Sequence, residues 1–432
     1  MAQPVNEDVV IRSARNVLGS IRVPGDKSIS HRYAMLAALA EGHSRFENFA
    51  PGGDCASTLG CVQALGCLVE RGTDGSVAIE GVGPQLEPPS IALDCGNSGS
   101  TMRMLSGIVA AQPFACEMIG DASLSRRPMK RIVDPLTEMG AQVQSTDGHA
   151  PLRISGARLR GIRYRPPVAS AQVKTCLLFA GLLAEGRTVV EEPHPTRDHG
   201  ELALQAFGAQ VERSPGAVSV SGGQMLHPLD AYVPGDSSSA AFFLCAAAIF
   251  PESKLVIDGV LLNPTRSALL DVLTTMGCRV AMLRVEEQHG ELVGTIALTP
   301  GKGRRVRIEG AQTALLIDEL PVLAAIAPYT AGGLEVRDAG ELRVKESDRL
   351  SAVTRNLKAM GAQVEHTDDG WRIPGSQQLH GADLESYDDH RIAMAFAVAA
   401  LKAEGESIIH HANCVAISYP AFFSDLEGIT ER

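Results

Sequence analysis

The sequence predicts a mixed α/β (α+β) fold of two domains, each built from three copies of one small unit. Three observations carry this. Six segments open on a short run rich in Gly, Ser, Asp or Asn and continue as an apolar stretch of helix length. Five interleaved segments end a helix-like stretch on a Gly followed by a strand-like run. The string V-P-G-D-x-S occurs twice, starting at Val23 and at Val233, three units apart.

The six apolar segments read "GDKSISHRYAMLAALAEG" from Gly25, "CGNSGSTMRMLSGIVAA" from Cys95 and "SAQVKTCLLFAGLLAEG" from Ser170. "GDSSSAAFFLCAAAIF" follows from Gly235, "IDELPVLAAIAPYTAGG" from Ile317 and "DDHRIAMAFAVAALKAEG" from Asp388. Their starts lie about 65–80 residues apart, too long for a solenoid repeat and right for a small βα module. A helix apolar on every side is a buried one. The second set, "VQALGCLVE", "LTEMGAQV", "LQAFGAQVE", "LTTMGCRV" and "LKAMGAQVE", places Gly66, Gly140, Gly208, Gly277 and Gly361 where a left-handed cap ends an amphipathic helix. Five copies against six leaves one to find. The C-terminal "FFSDLEGI" is a candidate for the missing helix, with "VVIRSA" near the N-terminus as its strand. Crossings near Pro24 and Pro234 would make residues 24–234 one domain, and 1–23 with 235–432 the other.

Composition narrows the function. At 432 residues, 45% hydrophobic and 21% charged, the chain is an ordinary globular sequence. No apolar run reaches the roughly 18–20 residues of a membrane span, and no leader is evident in "MAQPVNEDVVIRS", so a cytoplasmic protein is expected. Nine scattered cysteines with no C-x-x-C predict buried free thiols rather than disulfides or zinc. A net charge of −11 with a single Trp argues against nucleic acid.

The positive charges are nevertheless gathered at the polar helix starts. A helix N-terminus carries unpaired N–H groups and a partial positive charge, a ready anion site. Lys27 and Arg32 lie in the first segment, Arg103 in the second, Lys174 in the third and Arg391 in the sixth. Loops add Arg126, Arg127 and Lys130 in "SLSRRPMKR", Arg197 in "HPTRDHGE", and Arg343, Lys345 and Arg349 in "RVKESDRL". If the six starts face one cleft, the ligand is a multiply anionic small molecule. "GDKS" is not a P-loop, because Asp26 separates Gly25 from Lys27 and the upstream Gly is missing. The histidines of "HPTRDHGE" fit no common metal spacing and read as a solvated loop.

Taken together, "PGDKSISHR", "GNSGSTMR", "GDASLSRRPM", "SAQVK", "DELPVLA", "RVKESDRL" and "DDHRIAMA" resemble the motif set of the 5-enolpyruvylshikimate-3-phosphate synthase family, in order from Pro24 to Pro420. The resemblance implies a two-domain inside-out α/β barrel, six repeats of a βαβαββ unit with three per domain, which agrees with the repeat count. It implies transfer of the enolpyruvyl group of phosphoenolpyruvate to the 5-hydroxyl of shikimate 3-phosphate, with no metal or organic cofactor. Small anionic substrates are the implied partners, with no nucleic acid and no membrane, and a monomer is expected.

Carried over motif by motif, the resemblance assigns Lys27, Ser28, Arg32, Ser170, Ala171, Gln172, Asp318 and Lys345 to shikimate 3-phosphate, with Arg197 as an extra phosphate clamp. Lys27, Gly99, Arg127, Gln172, Arg349 and Arg391 are assigned to phosphoenolpyruvate. Asp318 is the expected base for the 5-hydroxyl and Glu346 the proton shuttle, with Lys27 as a helper. Arginine suits carboxylate and phosphate because its planar fork binds them bidentately. Asp318, Asp388, Ser28 and Ser170 also suit plain helix caps, and His31 and His390 read as structural.

Two departures stand out. Ile417 in "CVAISYP" replaces a Lys that some members carry, and Ala171 replaces a Ser. Gly99 leaves space where an extra methyl in some members excludes glyphosate. The sister transferase acting on UDP-N-acetylglucosamine needs a reactive Cys where this chain has Ala122, and Cys116 lies too far back. A non-catalytic phosphate-binding protein of the same unit would not require Asp318, Glu346 and the arginines together. Ligands drawn from both domains imply closure on binding.

Overall fold

The structure, a computed structural model, describes residues 8–432. The chain forms two compact units. The inserted unit takes Gly25–Val233 with Glu287–Glu291, and the flanking unit takes the residues up to Pro24, Pro234–Glu286 and Leu292–Arg432. The breaks after Pro24 and after Val233 each fall inside a copy of V-P-G-D. The stretch 287–291 groups with the inserted unit, not with the flanking segment. It is a hairpin turn, with His289 and Gly290 at positive φ, and its Glu291 is bonded to His199 at 2.6 Å.

Five of the six polar-then-apolar segments begin their helices on a side-chain cap. In the inserted unit, α1 (Lys27–Leu39) is capped by Asp26, which accepts from the Ile29 N–H. Ser98 caps α2 (Gly99–Val109) and Ser170 caps α3 (Ala171–Leu182) in the same way. In the flanking unit, Asp236 caps α4 (Ser237–Ala248) through the Ser238 and Ser239 N–H groups. Asp389 caps α6 (His390–Ala400). Between these two, α5 (Leu320–Ile326) has no side-chain cap but carries Pro321 in its first turn, where a missing N–H costs nothing. Asp318, Asp388 and Ser28 are therefore not caps; Asp388 sits at φ 55° one residue too early. Burial runs almost unbroken along all six helices. Close packing shows at Gly107 of α2, where an added Cβ would lie 2.1 Å from the Cys176 carbonyl oxygen of α3.

The second signature also takes shape. Lys130–Met139 buries Ile132, Pro135, Leu136 and Met139 and so covers the core with one face. Its end, Gly140, has φ 115°, and Gly66, Gly208, Gly277 and Gly361 are likewise at positive φ. Each is followed by an antiparallel pair of strands, as in Gln142–Thr146 with His149–Ser155.

Among the described residues there are six sheets. Three in the inserted unit share one order: a parallel strand, the strand after the apolar helix, and two antiparallel strands. Leu93–Asp94, Ala115–Ile119, His149–Ser155 and Gln142–Thr146 are one example. The flanking unit repeats this order in Val306–Ile308, Leu334–Val336, Gly370–Ile373 and Glu365–Thr367. Asp230–Tyr232, ahead of the second crossing, pairs with Gly42–Glu47 after α1. Asn16–Ile21, ahead of the first crossing, pairs with Lys254–Leu261 after α4. The last sheet has three strands, and its antiparallel member is Val9–Arg12 against Glu406–His410. "FFSDLEGI" is indeed a helix, Phe422–Gly428. The strand that follows it, Thr430–Glu431, pairs with Asn16–Ile21 rather than with Val9–Arg12.

Candidate active site

In the inserted unit the polar starts are tied to one another. Lys27, the first residue of α1, places Nζ 3.1 Å from the Asp54 carboxylate. Arg32, one turn on, donates to the Ser28 carbonyl at 2.8 Å and to Thr175 Oγ1 of α3 at 2.9 Å. Burial lowers the Arg32 pKa to about 10, with Glu201 and Asp26 pulling it back up and nearby Arg197 pushing it further down. It stays charged at neutral pH, and two cations that repel each other invite an anion.

The start of α2 meets the start of α3 in the same unit. Arg103 donates to Gln172 Oε1 at 2.7 Å, and Gln172 in turn donates to Ser100 Oγ at 2.9 Å. Arg127 is held by Asn97 Oδ1 at 2.7 Å and Ser123 Oγ at 3.1 Å. Gly99 lies between the two guanidiniums: a Cβ there would sit 3.1 Å from Arg103 Nη1 and 3.5 Å from Arg127 Nη1. Ser170 caps α3, and Ala171 is its first residue.

Lys174 does not belong to this set. It is buried and held by Glu192 at 2.9 Å and Glu201 at 2.7 Å, so its charge is spent inside the protein. His31 is also structural: its Nδ1 is 2.7 Å from Thr58 Oγ1, and burial, with Lys27 and Arg32 adding to it, holds its pKa well below the usual range. His199 opens the helix His199–Ala206 and is buried, so "HPTRDHGE" is only in part the solvated loop its sequence suggested. Among the described residues no group of His, Cys, Asp and Glu is set to hold a metal ion.

The flanking unit gathers the remaining candidates around one buried guanidinium. Arg349 donates to Asp389 at 2.8 and 3.1 Å and to Glu346 at 2.6 Å, and its Nη1 stands 3.8 Å from Asp318 Oδ1. Burial opposes its charge, but Asp389 and Glu346 outweigh that and raise its pKa above the ordinary value. Lys345 Nζ is 3.8 Å from Asp318 Oδ1, and Arg391 donates to the Asp318 carbonyl at 2.9 Å. Three carboxylates thus surround a single permanently charged arginine, with two further cations beside them.

Sequence reasoning missed Asp389, Asp54 and Asn97. The second Asp of "DDHR" and the Asp of "GDCAST" were the available signals, but both look like ordinary helix starts. Ile417 lies at the end of a short 3-10 turn, Ala412–Ile417, packed against the flanking core. It supplies packing where a Lys would have supplied charge.

The family model described as EPSP synthase (3-phosphoshikimate 1-carboxyvinyltransferase) matches residues 11–426. The chain belongs to the EPSP synthase family. A curated 3-phosphoshikimate 1-carboxyvinyltransferase of Koribacter versatilis is 63% identical over 426 residues, covering 99% of this chain and 100% of that one. The relative of the same name from Solibacter usitatus is 51% identical, over 98% of this chain and 100% of its own. Among solved structures, an EPSP synthase from Acinetobacter baumannii superposes with a TM-score of 0.87 at 40% identity, covering 98% of each chain. Among the described residues no helix is long and apolar enough to cross a membrane.

Proposed function

We propose that the clusters described above are the working parts of the family's reaction in this chain. That reaction transfers the enolpyruvyl group of phosphoenolpyruvate to the 5-hydroxyl of shikimate 3-phosphate and releases phosphate, within the shikimate pathway to aromatic amino acids. The chain is a transferase.

Asp318 takes the proton of the 5-hydroxyl, and the freed oxygen adds to C2 of phosphoenolpyruvate. Glu346 delivers a proton to the methylene carbon, and Lys27 assists. The resulting methyl then returns a proton to the Glu346 carboxylate, its C–H electrons restore the double bond, and phosphate leaves with the C–O electron pair. Arg127, Arg349 and Arg391, with Gly99 leaving room, hold phosphoenolpyruvate and stabilise charge on the departing phosphate, commonly the largest contribution in such sites. Lys27, Ser28, Arg32, Ser170, Ala171, Gln172, Arg197 and Lys345 hold shikimate 3-phosphate. The observation that carries this reading is the approach of Asp318 and Glu346 to one buried arginine, at 3.8 and 2.6 Å.

We read the six sheets and six apolar helices as six copies of a βαβαββ unit, three per domain, in an inside-out α/β barrel. The domains run 24–234, and 1–23 with 235–432. The enzyme works in the cytoplasm as a monomer, without cofactor.

The test is phosphate release by the purified, metal-free protein. Release that requires both substrates is the expected result, and release with either alone, or none, defeats the reading. Glu346→Gln and Asp318→Asn are expected to lower kcat by about a hundredfold or more, the range of general acid–base catalysis, while substrate binding by calorimetry stays intact. Lost binding would make the two carboxylates structural.

A further inference from the structure

We propose that Arg266 is a positioning residue for Asp318, acting through Ser238 and Glu319, an inference that rests on Asp318 being the base. Arg266 lies in the loop ahead of the helix Ala268–Thr275, and its side chain is 2% exposed. The loop is pinned: Asn263 Oδ1 accepts from the Thr265 N–H at 2.8 Å and from its hydroxyl at 2.7 Å, and the Arg266 N–H donates to the Asn263 carbonyl at 2.8 Å. From there Arg266 Nη2 donates to Ser238 Oγ at 2.6 Å and stands 3.8 Å from Asp236 and 3.9 Å from Glu319.

The hydroxyl decides the direction of the relay. Ser238 has one proton; it accepts from Arg266 and donates that proton to Glu319 Oε1. Glu319 is buried and is the residue after Asp318. A buried carboxylate deprived of its partner is strongly unfavourable, so Arg266 and Ser238 fix where Glu319 sits. Asp318 lies ahead of α5, in the turn closed by the Glu319 and Leu320 N–H groups on the Leu316 carbonyl at 2.8 and 2.9 Å. Its carbonyl is held by Arg391 on one side, and its following residue is held by the Arg266 relay on the other. The contacts through which Arg266 acts here are those to Ser238, Asp236 and Glu319, so its role is orientation of the neighbouring base.

The measurement is steady-state kinetics and thermal unfolding of the full chain carrying Arg266→Gln, Arg266→Lys, Ser238→Ala and Asp318→Asn, alone and combined. Arg266→Gln is expected to lower kcat about tenfold, the scale of a small misplacement of a reacting group, with both KM values within about threefold. Ser238→Ala should move kcat the same way, and Arg266→Lys should recover part of it. Arg266→Gln combined with Asp318→Asn should be no slower than Asp318→Asn alone, because the two act through one group. Independent, multiplying losses, or an unchanged kcat in Ser238→Ala, would overturn the proposal even if Arg266→Gln fails to fold. Should Asp318→Asn itself keep kcat within about threefold, the base assignment falls and this inference falls with it. A low kcat in Asp318→Asn beside a normal one in Arg266→Gln overturns the inference alone.

Discussion

At the scale of single residues, the chemistry depends on which charges the fold leaves available and which it consumes. Gly99 shows how narrow the margin is. A methyl group there would press on Arg103 at 3.1 Å, tighter than ordinary contact, and would push the guanidinium that Gln172 holds aside by a few tenths of an ångström. Gly99→Ala is expected to raise the KM for phosphoenolpyruvate about tenfold, equivalent to about 1.4 kcal/mol, and to change that for shikimate 3-phosphate much less. Equal effects on both would remove Gly99 from its assigned role. His31 gives a pH prediction. In the unfolded chain it titrates near 6.5, whereas burial first, then Lys27 and Arg32, keep it neutral in the folded one. Below that pH the unfolded chain binds a proton that the folded chain does not, so stability is full above 6.5 and falls as the pH drops towards the depressed folded value. Denaturant unfolding between neutral and acid pH should show His31→Gln losing up to about 1.4 kcal/mol per pH unit of this slope; an unchanged slope would assign the sensitivity elsewhere. The cations were legible as residue types at polar helix starts, but their fates were not. Lys174 reads like Lys27 in the sequence, yet its two glutamates arrive from positions 192 and 201, and only tertiary structure brings them.

At the scale of elements, the apolar helices and the glycine ends were legible because each is decided locally, by composition and by one backbone angle. Both copies of V-P-G-D do the same structural work, with Asp26 and Asp236 each capping the helix that follows. They differ in where the countercharge comes from. The first copy carries Lys27, which pairs with Asp54; the second borrows Arg266 from a distant loop, a pairing no local pattern could announce. Strand pairing was illegible for the same reason. Asp230–Tyr232 finds Gly42–Glu47 across most of the inserted unit's sequence, and the N-terminal strands serve sheets whose other members come much later. The glycine ends lend themselves to measurement. Gly140 has φ 115° and would bring a Cβ only to ordinary contact, 3.8 Å from the Arg158 carbonyl oxygen, so Gly140→Ala should cost only the left-handed penalty, about 1–2 kcal/mol. Gly277 would bring a Cβ to 2.4 Å from the backbone of Lys302 and Gly303. Gly277→Ala should therefore be clearly the worse of the two in denaturant unfolding, and equal costs would mean the loop 301–303 yields freely.

At the scale of the whole molecule, the residues proposed for shikimate 3-phosphate are drawn from both compact units: Lys27, Ser28, Arg32 and Ser170 from the inserted one, Asp318 and Lys345 from the flanking one. Each unit has its own buried helices and its own three sheets, so each can open by itself, and local opening is what amide exchange reports. A ligand held only by one unit would protect that unit. One held by both must add its binding free energy to the opening of either, about 2.7 kcal/mol when present at a hundredfold excess over Kd. Hydrogen exchange with shikimate 3-phosphate present should therefore slow in α3 of the inserted unit and in α5 and α6 of the flanking unit together. Arg32→Ala and Lys345→Ala alter opposite units, and each should erase the effect in both. Protection confined to α3, or surviving in α5 when Arg32 is replaced, would show that one of the two residue sets does not hold this substrate.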